Sequence, residues 1–157
     1  MSTNGTRLFR SAVLAEIAAN TLSLPLMLLY PDRYLRLFVQ NPSHINPVSK
    51  AVTQWLGGLV LLITLQLAFC YPNPRPSQGG TRDVVPYRRL TYLTLGAGEL
   101  ILSTILGVQY LLGTSGLKPN ALLAGVGTLS GIAGVRAWFL YARPSWMEAQ
   151  ENARKAK

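Results

Sequence analysis

Long apolar runs alternate with short polar segments along this chain. A hydrocarbon core of about 30 Å is crossed by about 20 helical residues at 1.5 Å each. Four runs reach that length: Ser11 to Tyr30, Ala51 to Tyr71, Leu90 to Leu112 and Ala121 to Tyr141. The pattern therefore predicts an all-α fold, a bundle of four transmembrane helices that makes residues 1–157 a single domain of a multi-pass integral membrane protein.

The segments between these runs contain helix-breaking and charged residues. Pro31 to Lys50 mixes prolines with alternating aromatic, aliphatic and arginine positions, and we expect it to lie along the membrane surface. Pro72 to Arg89 is rich in proline, glycine and arginine and predicts a flexible loop. The short turn from Gly113 to Asn120 makes the last two helices antiparallel neighbours.

The distribution of lysine and arginine predicts the orientation. The N-terminus, the loop 72–89 and the basic tail 142–157 carry ten of these residues, and the opposite side carries four. Since positive loops stay in the cytosol, we expect both termini there. The terminal RKAK resembles the cytosolic dilysine address of endoplasmic-reticulum membrane proteins, with Arg154 where the second lysine would stand; a plain solvated basic tail is the alternative. A mitochondrial membrane is the alternative location, because Arg7 and Arg10 precede any acidic residue.

Composition narrows the chemistry. Charged residues make up 13% of the chain, against about 25% in soluble domains, and the net charge of +9 is concentrated in loops and tails. That distribution argues against nucleic-acid binding. Cys70 and His44 are the only residues of their types, which excludes an intramolecular disulfide and a His-rich metal site. We expect no metal site and no cofactor.

Several polar side chains fall inside the predicted spans. Ionisable groups at membrane depth cost about 2.5 to 3.5 kcal/mol each and usually face the bundle interior. With the predicted orientation and 1.5 Å per residue, Glu16, Gln66 and Arg136 lie about 8 Å below the cytosolic edge, and Asn20 and Glu99 about 14 Å below it. Every helix thus contributes a polar group to the cytosolic half of the bundle.

Helical periodicity groups these residues further, since positions three, four and seven apart share a helix side. Glu16, Asn20 and Ser23 form one polar stripe, and Gly96, Glu99, Ser103, Gly107 and Tyr110 form another. Gly127, Gly131 and Gly134 form a small-residue stripe that predicts close helix packing. Arg136 points roughly 140° to 180° away from Gly131 and Gly127, so the fourth helix is not expected to present both features to one partner.

Each ionisable residue also has a structural explanation. Arg136 lies near the end of its span, so its stem could snorkel to the headgroups. Glu16 could simply pair with Arg136 or Arg10. Glu99 is too deep to reach water, so it must be neutral, paired or beside a wet cavity. A carboxyl group kept out of water holds its proton more firmly, which makes it a candidate general acid.

A faint internal repeat links the two acids. AEIAANTL around Glu16 aligns with GELILSTI around Glu99 and pairs the two glutamates. Because the first and third helices run in the same direction, a duplicated helix pair would put both acids on equivalent faces.

These observations favour an enzyme that acts on a membrane-dissolved sterol-like or terpenoid substrate by cofactor-independent isomerisation or cyclisation. Glu99 and Glu16 are the candidate catalytic residues, and the residues expected to bind or orient the substrate are Arg136, Gln66, Asn20, Ser103 and Tyr110. In layout, a small four-helix reticulum protein with acids in its bundle resembles the emopamil-binding sterol isomerases. The likeness is in plan alone and assigns no residue a role.

The alternatives are a non-catalytic scaffold, accessory or lipid-binding protein, and an oligomeric transporter or channel subunit. The expected partners are membrane lipids and a hydrophobic small molecule, with a homo-oligomer also open.

Overall fold

A computed structural model describes residues 3–72, 84–113 and 115–147. The helices of this part of the chain are α1 (Thr3–Leu28), α2 (Pro31–Phe38), α3 (Pro47–Cys70), α4 (Val84–Leu112) and α5 (Pro119–Ala137). A π-helix, Trp138–Ala142, continues α5, and 3-10 turns form at Pro42–His44 and Pro144–Met147. The four long helices are apolar enough to cross a membrane. The predicted all-α fold with four such helices is confirmed.

Prolines that interrupt the apolar runs begin helices here. Pro31, Pro47 and Pro119 each stand at the first positions of a helix, where the missing N–H has no intrahelical partner to lose. At α3, the Asn46 side chain accepts a hydrogen bond from the Ser49 N–H at 3.0 Å, and the Ser49 hydroxyl accepts one from the Asn46 N–H at 2.9 Å. This reciprocal cap determines where α3 begins.

All four long helices begin earlier than the sequence pattern predicts, α3 and α5 by four and two residues and the other two by more. α1 begins at Thr3 instead of Ser11, and α4 begins at Val84 instead of Leu90. The apolar face of the first turns of α1 is buried, with Phe9 fully covered, and this packing extends the helix past the arginines taken as its flank. Glu16 consequently lies about 20 Å along α1 and Glu99 about 22 Å along α4, near the middle of each helix. Along the helices, the two acids therefore lie farther from the first residues of α1 and α4 than from Ser11 and Leu90, where the predicted spans begin, and their depth in a membrane stays a prediction. Of the predicted loop 72–89, residues 84–89 are helical; residues 73–83 and the tail beyond 147 lie outside the described residues.

The long helices form two hairpins. α1 packs against α3 and α4 packs against α5, while α3 and α4 provide a smaller contact between the hairpins. The predicted antiparallel pairing of the last two helices is therefore confirmed. Gly113 ends α4 with φ of 63°, a left-handed conformation that glycine adopts without strain, and its N–H donates to the Gln109 carbonyl at 3.0 Å.

The connections after α1 and α4 meet at one end of the bundle. The Gln40 N–H donates to the Gly116 carbonyl at 2.9 Å, and the Lys118 N–H donates to the Phe38 carbonyl at 2.7 Å. The Lys118 ammonium adds bonds to the Arg36 and Leu37 carbonyls at 3.0 and 3.2 Å. These bonds join both connections into one polar cap, as expected for segments on the same side.

The opposite end, where α1 and α4 begin, has an aromatic core. Phe9 contacts Tyr92 and Phe139 with ring centroids 5.2 and 5.3 Å apart. Beside it, Arg88 is fully buried and donates to the carbonyls of Cys70, Met147 and Pro72 at 2.8, 2.7 and 2.9 Å. Arg88, which the charge count placed in a loop, thus links α4 to the end of α3 and to the 3-10 turn Pro144–Met147.

Candidate functional site

A cavity of about 690 Å³ lies between the two hairpins. All four long helices line it, through Ala12, Ala19, Val60, Ile63, Leu95, Gly98, Leu129 and Ile132 among others. Leu102 and Val135 also line it, and their exposed fractions of 53% and 49% place them at a rim that opens on the apolar outer surface. The cavity is therefore largely apolar and opens sideways.

Three ionisable residues meet at the wall of this cavity. The Arg136 Nε–H donates to both carboxylate oxygens of Glu99, at 2.9 and 3.0 Å, and Arg136 Nη2 donates to Glu16 Oε1. The exposed fractions of the three side chains are 2% for Arg136, 19% for Glu16 and 13% for Glu99. One arginine of the second hairpin therefore binds a glutamate from each hairpin. We call these three residues the triad.

The direction of helical side chains explains why the triad forms. Side chains lean toward the N-terminus of their own helix. Glu16 and Glu99 lean toward the end where α1 and α4 begin, whereas Arg136 on antiparallel α5 leans away from that end. Arg136 stands six residues before Ala142, about 9 Å along the helix, so this lean carries its guanidinium toward the two acids. Its burial shows that Arg136 does not snorkel.

Two residues of α4 support the arginine. The guanidinium carbon lies 4.8 Å from the centroid of the Tyr92 ring. This cation–π contact is more stabilising where water is excluded than at an exposed site. At Gly96, an added Cβ would lie 3.6 Å from Arg136 Cδ, an ordinary contact distance, so the arginine stem packs over this position without a need for glycine. Nη1 of Arg136 is buried without a hydrogen-bond partner among the described residues.

Of the other predicted site residues, one lines the cavity and three do not. Asn20, one turn after Glu16, lines the cavity. Ser103 is buried between α4 and α5, where its hydroxyl lies 2.7 Å from the Ser130 hydroxyl, so it joins two helices. Gln66 lies outside the cavity lining, and Tyr110 is 40% exposed toward the opposite end of α4. Gln66, Ser103 and Tyr110 are therefore not brought to the triad, because similar depth or a shared stripe does not determine which neighbour a side chain faces.

The glycine stripe of α5 also differs from expectation. A Cβ at Gly127, Gly131 or Gly134 would meet no atom of another helix within 4 Å. The prediction of close helix packing at these positions was therefore wrong. Gly127 and Gly131 line the same cavity as Arg136, because a long arginine stem carries its guanidinium around the helix. α4 and α5 instead approach at Gly125, where a Cβ would lie 2.9 Å from Leu106 Cδ1.

Three polar lining residues were absent from the predicted site. Tyr92 precedes Glu99 by seven residues and so shares its helix side, a signal that was available in the sequence. Thr94 and Thr128 add hydroxyl groups to the lining, but no spacing rule distinguishes them from other exposed threonines. Within the described ranges no three His, Cys, Asp or Glu residues cluster in a way that would hold a metal ion.

Comparisons with known proteins do not add a relative: no protein-family model, no curated protein and no solved structure matches this chain.

Proposed function

We propose that this protein is an enzyme that isomerises or cyclises a membrane-dissolved, sterol-like or terpenoid molecule by intramembrane acid–base chemistry. The observation that carries the proposal is a triad of buried ionisable groups in the wall of an otherwise apolar cavity. The volume of about 690 Å³ lies within the range of about 300 to 1,000 Å³ typical of small-molecule sites. A substrate dissolved in lipid would enter through the lateral rim.

The charge of the triad supports proton transfer. With both carboxyl groups ionised, two negative charges face one arginine, and the formal charge of the cluster is −1. A buried net charge is costly, and one bound proton removes it. The triad therefore holds one transferable proton in its resting state.

The proposed reaction needs no redox partner. The carboxyl O–H bond breaks, and the proton forms a C–H bond at one carbon of a substrate double bond, which leaves a carbocation. The electron pair of a neighbouring C–H bond then forms the new double bond, and its proton returns to the carboxylate. Arg136 stays protonated throughout and stabilises the carboxylate between the two steps.

Comparative lipid analysis tests this function. Host membranes that contain the wild type should differ from membranes with the E16Q/E99Q/R136M variant by two lipids of equal mass, one depleted and one enriched. This triple variant leaves no charge of the triad without a partner, so its abundance should match that of the wild type and serves as the internal control. Unchanged lipids at equal abundance would favour a non-catalytic protein.

A second candidate is a non-catalytic scaffold or lipid-binding protein in which the triad holds the bundle together. The favouring observation is that the hairpins share only a small backbone contact, while Arg136 joins α5 to both α1 and α4. In that case the E16Q/E99Q variant should be lost from the membrane, and no lipid should change in proportion to the surviving protein.

For the location, we propose the endoplasmic-reticulum membrane with both termini in the cytosol. The burial of Arg88 removes one charge from the count, and nine positive residues against four still favour this orientation. Glycosylation acceptors inserted in the segment 39–46 should be modified. Modification of acceptors inserted in the segment 73–83 instead would reverse the orientation.

A further inference from the structure

The two glutamates bind the arginine in different ways. Both oxygens of Glu99 accept the Arg136 Nε–H, at 2.9 and 3.0 Å. Glu16 accepts from Nη2 through Oε1 alone, and its Oε2 has no hydrogen-bond partner among the described residues. An ionised carboxylate accepts with both oxygens, whereas a protonated one has turned one oxygen into a donor. Glu99 therefore has the contacts of a carboxylate, and Glu16 has an oxygen left for a proton.

We propose that Glu16 is the proton donor of the site and that Glu99 is its ionised partner. This inference rests on the proposed function and divides the roles within the triad. The transferable proton resides on Glu16 Oε2. Glu99 and Arg136 are positioning residues that act through Glu16.

The surroundings of Glu16 agree with this assignment. Glu16 and Asn20 line the cavity from α1, Glu99 and Tyr92 from α4, and Arg136 from α5, while α3 contributes the apolar Val60 and Ile63. Glu16 Oε2 is not among the buried atoms without a partner, so this oxygen is accessible on a side chain that is 19% exposed. A proton on Oε2 can therefore reach a molecule in the cavity without movement of the backbone.

The division of roles determines how charge moves. When Glu16 releases its proton, it becomes a carboxylate that already accepts a bond from Arg136. No side chain has to turn to stabilise the new charge, and such preorganised donors lower a barrier most effectively. If Glu99 were the donor, its O–H would have to displace one of two existing bonds to Nε.

Two measurements on the full-length wild type in lipid nanodiscs test the assignment. Infrared spectroscopy with carboxyl-labelled glutamate detects the C=O stretch of a protonated carboxyl group. Dicyclohexylcarbodiimide, an apolar reagent, adds the O–H of a protonated carboxyl across its C=N bond and rearranges to a stable N-acylurea without a leaving group. Peptide mass spectrometry then locates the adduct.

We expect one protonated carboxyl group at neutral pH and about tenfold more adduct on Glu16 than on Glu99, the ratio given by a preference of about 1.4 kcal/mol for the proton. In E99Q the charges of Arg136 and Glu16 balance, so the C=O band and the adduct should both diminish. The E99Q variant therefore distinguishes a proton that the triad holds because of its net charge from a proton that Glu16 holds independently of Glu99.

The possible failures are distinguishable. A wild type with no protonated carboxyl group overturns both the proposed function and the assignment. A protonated carboxyl group with its adduct on Glu99, or with equal adducts on both acids, overturns the assignment alone. The band without any adduct also overturns it, because the proposal puts the proton on an oxygen that faces the cavity.

Discussion

Replacing Arg136 with methionine should destabilise the bundle strongly. The substitution keeps an unbranched apolar stem and removes the guanidinium that is bonded to Glu16 and Glu99. Both acids then lie in an apolar wall without a cation. At neutral pH Glu16 already holds the proton proposed above, and Glu99 must either stay charged or take a proton from water to remain buried.

The size of this effect follows from the burial of the triad. The side chains of Arg136, Glu16 and Glu99 are 2%, 19% and 13% exposed, so solvent screens their interaction little. Breaking a buried ion pair by removal of one partner costs about 3 to 5 kcal/mol. Since the two pairs share one arginine and are not additive, we expect a loss of about 3 to 5 kcal/mol in the free energy of unfolding for R136M.

Unfolding by sodium dodecyl sulfate in mixed micelles, followed by tryptophan fluorescence, measures this loss. The matched variant is E16Q/E99Q/R136M, which removes all three charges together. Replacing a complete buried ionic cluster with neutral groups is often neutral or stabilising, so the triple variant should lie within about 1 kcal/mol of the wild type. Arg7, which is exposed on α1, provides the control R7M, with an expected change of about 0.5 kcal/mol or less.

Two results would refute this reasoning. If R136M unfolded like the wild type, the triad would not contribute to stability. If R136M and the triple variant were equally unstable, the loss would come from packing of the arginine stem instead of from the stranded carboxyl groups.

Three further predictions concern other parts of the chain. G57A should lower the free energy of unfolding by about 1 to 3 kcal/mol, because its Cβ would lie 2.8 Å from Leu28 Cδ2, whereas G58A, whose Cβ meets nothing, should be neutral or stabilising; thermal unfolding in detergent compares them. G131L should fill part of the cavity without a clash, because a Cβ at this position would meet no atom within 4 Å. Native mass spectrometry should then detect less retained lipid, while the unfolding temperature stays unchanged. Burial raises the pKa of the Tyr34 phenol above its ordinary value of 10.0, so the unfolded chain loses this proton first and stability falls as the pH rises beyond about 10. Y34F should lack that part of the alkaline decline in a pH series of unfolding curves, and an unchanged decline would count against it.

The hydrophobic pattern was sufficient to predict the four long helices, and helix depth was sufficient to put Glu16, Glu99 and Arg136 in one part of the bundle. The rotation of each helix about its axis was not accessible in this way. Gln66 shares a predicted depth with Glu16 and Arg136, yet it lies outside the cavity because α3 turns other residues inward. A one-dimensional depth scale cannot distinguish these cases.

Arginine misled the prediction of helix ends. Arg10 was taken as a boundary of the first span, but its guanidinium lies 4.5 Å from the Tyr71 ring centroid within the bundle. Arg88 likewise is buried on three backbone carbonyls. Both arginines contact groups that lie far away in sequence, a ring for Arg10 and backbone carbonyls for Arg88, so neither position marked the end of a helix.

The aromatic end of the bundle has a consequence for the timing of assembly. The first hairpin is complete once Cys70 has been synthesised, yet Gly5 packs on Trp146, and Met147 accepts a bond from Arg88. At about 5 to 20 residues per second, the interval from Cys70 to Met147 takes about 4 to 15 s. The earliest turns of α1 therefore wait for the last turn of the described chain, and a nascent protein truncated before Trp146 would retain an uncovered end that quality-control proteins can recognise.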